Sequence, residues 1–152
     1  MMYLRCMYHL VYTSYARDSF REVELIQLLE QSRMNNKQKN ISGLLLYLNH
    51  VFIQVLEGKK SVVKALYQAI EKDPRHEKVR IVIEGTSPHR LFKDWSMGFK
   101  KLSTEEFKNL SGAKDIDTLF TKQEDPEQGN LVMTFLKLFY DKNIVDSPLS
   151  FQ

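Results

Sequence analysis

Two apolar runs, Ile41 to Leu48 and Val51 to Glu57, stand back to back with only Asn49 and His50 between them. A break this short between two strand-like runs is of the kind that joins the arms of a hairpin. The chain is thereby committed to an antiparallel pair near its middle. The first arm is apolar at both parities, with Leu44, Leu46 and Leu48 opposing Ile41, Leu45 and Tyr47. Something must therefore cover both faces of the sheet to which it belongs.

The remaining elements fall into place around this hairpin. Tyr8 to Ser14 alternates as a strand does, with Leu10 and Tyr12 on one face and Val11 and Thr13 on the other. Ser19 followed by Glu22 has the spacing of a capping box, and the Leu-rich run behind it keeps helical periodicity to about Asn35. After Gly58, the residues Val63, Leu66, Tyr67 and Ile70 recur at helical spacing until Asp73-Pro74 stops a second helix. Strands are predicted at Val79 to Glu84 and from about Trp95 to Lys100.

The order predicts an α+β fold of ferredoxin-like βαββαββ type: a five-stranded mixed sheet with two helices on one face. Residues 1–102 form that domain, and 103–152 read as a helical extension. Its segments open at Ser103 with Glu106 and at Asp125-Pro126 with Gln128, and the second carries Leu131, Phe135, Leu138 and Phe139 on one stripe. Such a stripe is expected to cover the other sheet face or to lie in an oligomer interface.

Composition excludes more than it names. A chain of 152 residues, 43% apolar and 27% charged, suits one globular domain with a substantial core. The net charge of +3 comes from mixed signs along the whole sequence, not from the basic patch of a nucleic-acid binder. A single cysteine rules out an internal disulfide, and the four histidines are too far apart for a zinc spacing. No run is long enough to span a bilayer and no cleavage site follows the N-terminus, so the expectation is a metal-free cytoplasmic protein.

The informative residues are polar ones where apolar ones belong. On the first helix Leu25, Leu29, Ser32 and Asn36 fall on one stripe, and an inward stripe that ends in polar groups needs partners for them. On the third strand Gln54 shares a face with Phe52 and Leu56, which puts an uncharged amide in an apolar row. Tyr12 lies on the first strand, which neighbours the third in this topology, so a Tyr12–Gln54 contact is expected. Taken singly, each residue has a plainer role: Asn35 and Asn36 as a helix C-cap, Ser32 bonded to a backbone carbonyl one turn back, Gln54 and Tyr12 as satisfied core residues. Together they suit a planar heterocycle that offers N–H and carbonyl groups along one edge, with Leu28 and Ile70 against its faces.

The same residues resemble the pattern of the BLUF family, visible here as Tyr8-His9-Leu10-Val11-Tyr12, Asn35-Asn36, Ile41-Ser42-Gly43-Leu44-Leu45, Phe52-Ile53-Gln54-Val55-Leu56-Glu57-Gly58, Asp73-Pro74-Arg75-His76 and Trp95-Ser96-Met97. The resemblance covers about residues 8–100, and the tail looks like that of the short, single-domain members. It implies a blue-light photoreceptor, not an enzyme, with FAD held noncovalently between the helices. Asn36 and Asn35 would bond the pyrimidine edge of the ring, and Asp73, Arg75 and His76 its polar edge or ribityl-phosphate arm. Tyr12 would donate an electron and then a proton, Gln54 would relay the event by rotating or tautomerising, and Trp95 and Met97 would carry the change outward. One departure is Ala69, where many members have Arg or His, and this bears on the choice between FAD and FMN.

The resemblance also implies a homo-oligomer and a response-regulator-like protein partner. Two rivals compete with it. An RNA-binding module would use Tyr12 and Phe52 as stacking surfaces, but the glycine-aromatic signature and a flanking basic track are missing. An enzyme, either a flavin reductase-like protein or a small hydrolase, would need a nucleophile with a base or a phosphate loop, and none is evident; a flavin-binding protein without photoactivity stays open beside these.

Overall fold

The computed structural model describes residues 7–17, 21–92, 96–103, 105 and 108–109. Its elements are β1 (Met7–Ala16), α1 (Glu22–Gln38), β2 (Ser42–Leu48), β3 (Val51–Gly58), α2 (Lys60–Glu71), β4 (His76–Ser87) and β5 (Gly98–Lys101). The strands form one sheet in the order β4-β1-β3-β2-β5, antiparallel throughout except for the parallel β2–β5 pair. This is the expected ferredoxin-like arrangement, with β1 and β3 adjacent at its centre.

The hairpin closes as its two-residue gap requires. Asn49 and His50 both have positive φ, 48° and 67°, the pairing of a type I′ turn whose twist matches that of the strands. Helix α1 begins at Glu22, later than the Ser19 signature suggests. Its first turn is closed by Glu24, whose Oε1 accepts the Arg21 backbone N–H at 3.2 Å, while Ser19 lies outside the described residues. At the other end Ile41 N–H reaches the Asn36 carbonyl at 2.8 Å and Asn40 N–H the Lys37 carbonyl at 3.3 Å, with Asn40 at φ 56°. That is a Schellman cap with Asn in the left-handed position.

Both helices lie on one face. Leu25 and Leu29 of α1 and Val63 and Tyr67 of α2 share a buried cluster with Leu10, Tyr12, Leu45, Phe52 and Leu56 of the sheet. The opposite face is buried too: Val11, Leu44, Leu46, Ile53 and Val55 are at most 1% exposed. Part of the β4–β5 connection folds against it, because the buried Glu57 carboxylate accepts the backbone N–H groups of Leu91 at 2.7 Å and Phe92 at 2.8 Å. The extension expected over 103–152 lies, apart from a few positions at its start, outside the described residues.

Two strands differ from the sequence expectation. Strand β4 starts at His76 instead of Val79, and its pairing with β1 shifts register between Val11 and Tyr12 and again between Thr13 and Tyr15. Such irregularities break the two-residue alternation that would reveal the full strand. Strand β5 starts at Gly98, not Trp95, and its ladder with β2 runs only from Leu44–Gly98 to Tyr47–Lys101. Just before it, side chains of α1 take the carbonyls of Ser96 and Met97: Asn36 Nδ2 donates to the first at 3.1 Å and Arg33 Nε to the second at 2.9 Å.

Gly43 permits the close approach of β2 to β3, since a Cβ there would stand 2.0 Å from the Val55 carbonyl oxygen and 3.3 Å from the Met97 methyl. The neighbouring backbone cannot yield as a side chain can. Gly43→Ala is expected to cost about 1–3 kcal/mol of stability, the range for overpacking a close-packed interior. A thermal melt checks this, and an unchanged midpoint would contradict the packing described.

Candidate functional site

Register alone assembles the centre of the site. Tyr12 is paired across the β1–β3 ladder with Gln54, Gln54 across β3–β2 with Leu45, and Leu45 across β2–β5 with Phe99. Directly opposed side chains on one face lie within contact distance. Tyr12 donates its phenol O–H to Gln54 Oε1. Gln54 Nε2 in turn donates to the Met97 sulfur at 3.2 Å. All three side chains are buried, at 4%, 5% and 1% exposure respectively.

The electrostatics keep this chain of donors in order. Burial, and then the nearby Tyr67 and Asp73, push the Tyr12 phenol well above the ordinary tyrosine range, so it stays protonated and donates. The amide must then turn its oxygen to Tyr12 and its nitrogen to Met97, which has only lone pairs to offer. A neutral phenol, an amide and a thioether thus sit in series without a formal charge.

Above this row α1 and α2 enclose a cleft of about 200 Å³. Leu28, Ser32, Asn35 and Asn36 line it from α1, Ile70 from α2, Asp73, Arg75 and His76 from the turn and strand beyond, and Tyr12 and Gln54 from the sheet. Met97 meets the site only through Gln54, and Trp95 lies outside the described residues. Leu45, Phe52, Leu66, Gln31 and Ala69 complete the lining. Their apolar members carried no distinguishing signal, since they look like any other core residues.

The plainer roles for the α1 residues do not hold. The helix runs on to Gln38 and is capped by Lys39 and Asn40, so Asn35 and Asn36 are not the cap. Among the described residues the Ser32 hydroxyl has no hydrogen-bond partner and makes no bond to the helix backbone. Asn36 is 2% exposed, and the one side-chain bond it makes among the described residues, to the Ser96 carbonyl, leaves Oδ1 and a second N–H to spend elsewhere.

At the α2 end, Arg75 is bound to Asp73 rather than solvated: its Nε donates to Oδ1 at 3.0 Å and its backbone N–H to the same oxygen at 2.9 Å. This pairing holds the Asp73 carboxyl below the usual carboxylate range. His76 has both ring nitrogens engaged, Nε2 with the Ile70 carbonyl at 2.6 Å and Nδ1 with the Ser14 hydroxyl at 2.8 Å. A carbonyl only accepts, so Nε2 carries the proton. The His76 ring stands in T-shaped contact with those of Tyr12 and Phe52 and buttresses the cleft. Ser14, which fixes it from β1, was not distinguishable in the sequence from any other strand serine.

The arrangement fits a flavin ring. Free amide and hydroxyl groups stand together at Asn35, Asn36 and Ser32 for an edge of N–H and carbonyl groups, and Leu28 and Ile70 stand on facing helices for its faces. A stacking platform for RNA is not available on this sheet, because Tyr12 and Phe52 are 4% and 3% exposed under the helices. No helix among the described residues is long and apolar enough to cross a membrane.

Comparison with known proteins agrees. The profile of the family described as BLUF, sensors of blue-light using FAD, matches residues 7–98. The photoactivated adenylate cyclase subunit beta of Euglena gracilis is 34% identical over 89 residues, 58% of this chain and 10% of that protein. The blue light- and temperature-regulated antirepressor BluF of Escherichia coli (strain K12) is 32% identical over 83 residues, 55% of this chain and 21% of that protein. The chain therefore spans about a tenth to a fifth of the length of these curated relatives. Among solved structures, the dark state of BlrB, a BLUF protein, superposes with a TM-score of 0.71 at 26% identity, covering 92% of this chain and 99% of that one.

Fold and cleft together define a flavin-binding sensor domain. The chain belongs to the BLUF family, the sensors of blue light using FAD.

The Asp73–Arg75 pair generates a pH test. The folded carboxyl has a lower pKa than the unfolded one, so its contribution is fully present above the unfolded value near 3.8 and is lost as pH falls through the folded value. The stability gap between wild type and Asp73→Asn is accordingly expected to shrink in melts taken from about pH 6 down to about pH 3. A gap that stays constant over that range would contradict the pairing.

Proposed function

We propose that this chain binds FAD in the α1–α2 cleft and works as a blue-light photoreceptor that signals to a separate protein. The observation that carries the reading is the buried series Tyr12 O–H to Gln54 Oε1 and Gln54 Nε2 to Met97 sulfur on the floor of that cleft. Bound flavin supplies the absorption of blue light and, once excited, strong oxidising power.

The chain's residues divide the remaining work. Asn35, Asn36 and Ser32 hold the polar edge of the ring, Leu28 and Ile70 flank it and exclude water, and the Asp73–Arg75 pair faces the ribityl-phosphate arm. His76 braces Tyr12. Tyr12 holds a transferable proton at its phenol oxygen, donated to Gln54. Half a turn of the Gln54 amide exchanges its donor and acceptor, bringing Oε1 to the Met97 sulfur, which has no proton to give. The Nε2–sulfur bond is then lost, and Met97, with Trp95 before it, passes the change on.

Each exchanged hydrogen bond is worth about 1 kcal/mol, which suits a switch that resets thermally. The family match supports a sensor, and on this reading the chain is not itself an enzyme but acts through another protein. A cytoplasmic homo-oligomer acting on a response-regulator-like partner completes the reading, with the extension over 103–152 as its contact element.

The test is an absorption spectrum of the purified protein before and after blue light, beside Gln54→Ala and Tyr12→Phe. A yellow protein with a small, dark-reversible red shift that both variants lack is the expected result. A protein that takes up no added FAD, or a shift that survives in both variants, would overturn the proposal.

A further inference from the structure

Met97 is held at two points by two different elements. Its sulfur accepts the Gln54 amide from β3 at 3.2 Å, and its backbone carbonyl accepts the Arg33 Nε–H from α1 at 2.9 Å. The same turn of α1 holds the preceding carbonyl, Ser96, through Asn36 at 3.1 Å. Both carbonyls lie just ahead of the β2–β5 ladder, which begins at Gly98. Side chains of a helix thus do what a neighbouring strand does elsewhere.

The cost of this arrangement shows in Arg33 itself. Its Nη2 is buried without a hydrogen-bond partner among the described residues, although a guanidinium on the flank of a surface helix ordinarily keeps all its nitrogens in water. Arg33 therefore gives up hydration in order to place Nε on the Met97 carbonyl. Its planar fork makes that placement directional, which a lysine ammonium cannot reproduce.

The geometry points to Arg33 as a positioning residue of the relay: it fixes the Met97 backbone so that the thioether meets the Gln54 amide, and it ties that residue to α1. The inference rests on the sensor reading above and adds to it a mechanical link from Gln54 through Met97 to a helix. Arg33 is not among the residues lining the cleft, so its replacement leaves the flavin-holding groups in place. A displaced Met97 backbone must move Arg33, and with it the last turns of α1.

The experiment uses the full chain labelled with ¹³C-methyl methionine. There are six methionines, and the Met97 resonance is assigned from Met97→Leu. Spectra are recorded in the dark for wild type, Arg33→Ala and Arg33→Lys, and the return to the dark spectrum after a blue pulse is timed in each.

In Arg33→Ala the Met97 methyl resonance is expected to shift or broaden while the flavin is still bound. The dark return is expected to slow by about tenfold or more, the change that loss of one hydrogen bond from a charged donor makes to a rate when that bond re-forms on the way back to the dark arrangement. Arg33→Lys should fall between this and wild type. A Met97 resonance left in place, together with an unchanged or faster return, would overturn the assignment. If Arg33→Ala does not fold, Arg33→Lys is read by the same two criteria. Because the resonance is read in the dark, it decides on Arg33 even in a protein that shows no photoresponse, an outcome that would count against the sensor reading alone.

Discussion

The register of β1 against β3 is the constraint on which the rest depends. It sets Tyr12 opposite Gln54 and, one strand further, Gln54 opposite Leu45. A slip of one residue would turn Gln54 to the far side of the sheet, against Val11, Leu44 and Leu46 of the neighbouring strands, where an amide would face apolar groups. The type I′ turn at Asn49-His50 fixes β3 against β2, and Gly43 lets the two strands close up. Local turn chemistry and one missing side chain thereby place the Tyr12–Gln54 pair.

Burial then gives that pair its character. A solvated Tyr–Gln contact would exchange with water continuously and hold no orientation. Under the helices, each donor must find an acceptor or leave a polar atom unsatisfied, so the amide has one favourable orientation and a defined alternative. The far side of the sheet is equally dry but organised differently. There Glu57 carries the polar burden, accepting Ser42 Oγ at 3.1 Å as well as the two backbone N–H groups of the β4–β5 connection. Burial raises its pKa while these bonds and Arg90 oppose the rise. One strand, β3, thus holds the relay on one face and anchors on the other the connection that leads to Met97.

Much of this was legible in the sequence because it follows from period and parity. The hairpin, the α1 stripe ending in Ser32 and Asn36, and the polar intruder Gln54 could all be read directly, and the resemblance then gave them a ligand. What could not be read depends on long-range geometry. The two register shifts hid the first residues of β4, and the late start of the β5 ladder was invisible because side chains from α1 take the carbonyls just before it. Nothing in the sequence singled out Arg33, and nothing in the spacing tied Ser14 to His76, 62 residues away. The capping role that the sequence left open to Asn35 and Asn36 belongs to Asn40, which is evident only once its φ is known.

The central claim is that light acts on the orientation of the Gln54 amide, held between a phenol and a thioether. An infrared difference spectrum of the flavin-loaded protein, light minus dark, with glutamine carbonyls labelled by ¹³C, tests it most directly. The account predicts a glutamine carbonyl band that shifts on illumination, responds to the label, and disappears in Gln54→Ala and in Tyr12→Phe. A light response with no glutamine band, or one that persists without Tyr12, would contradict it.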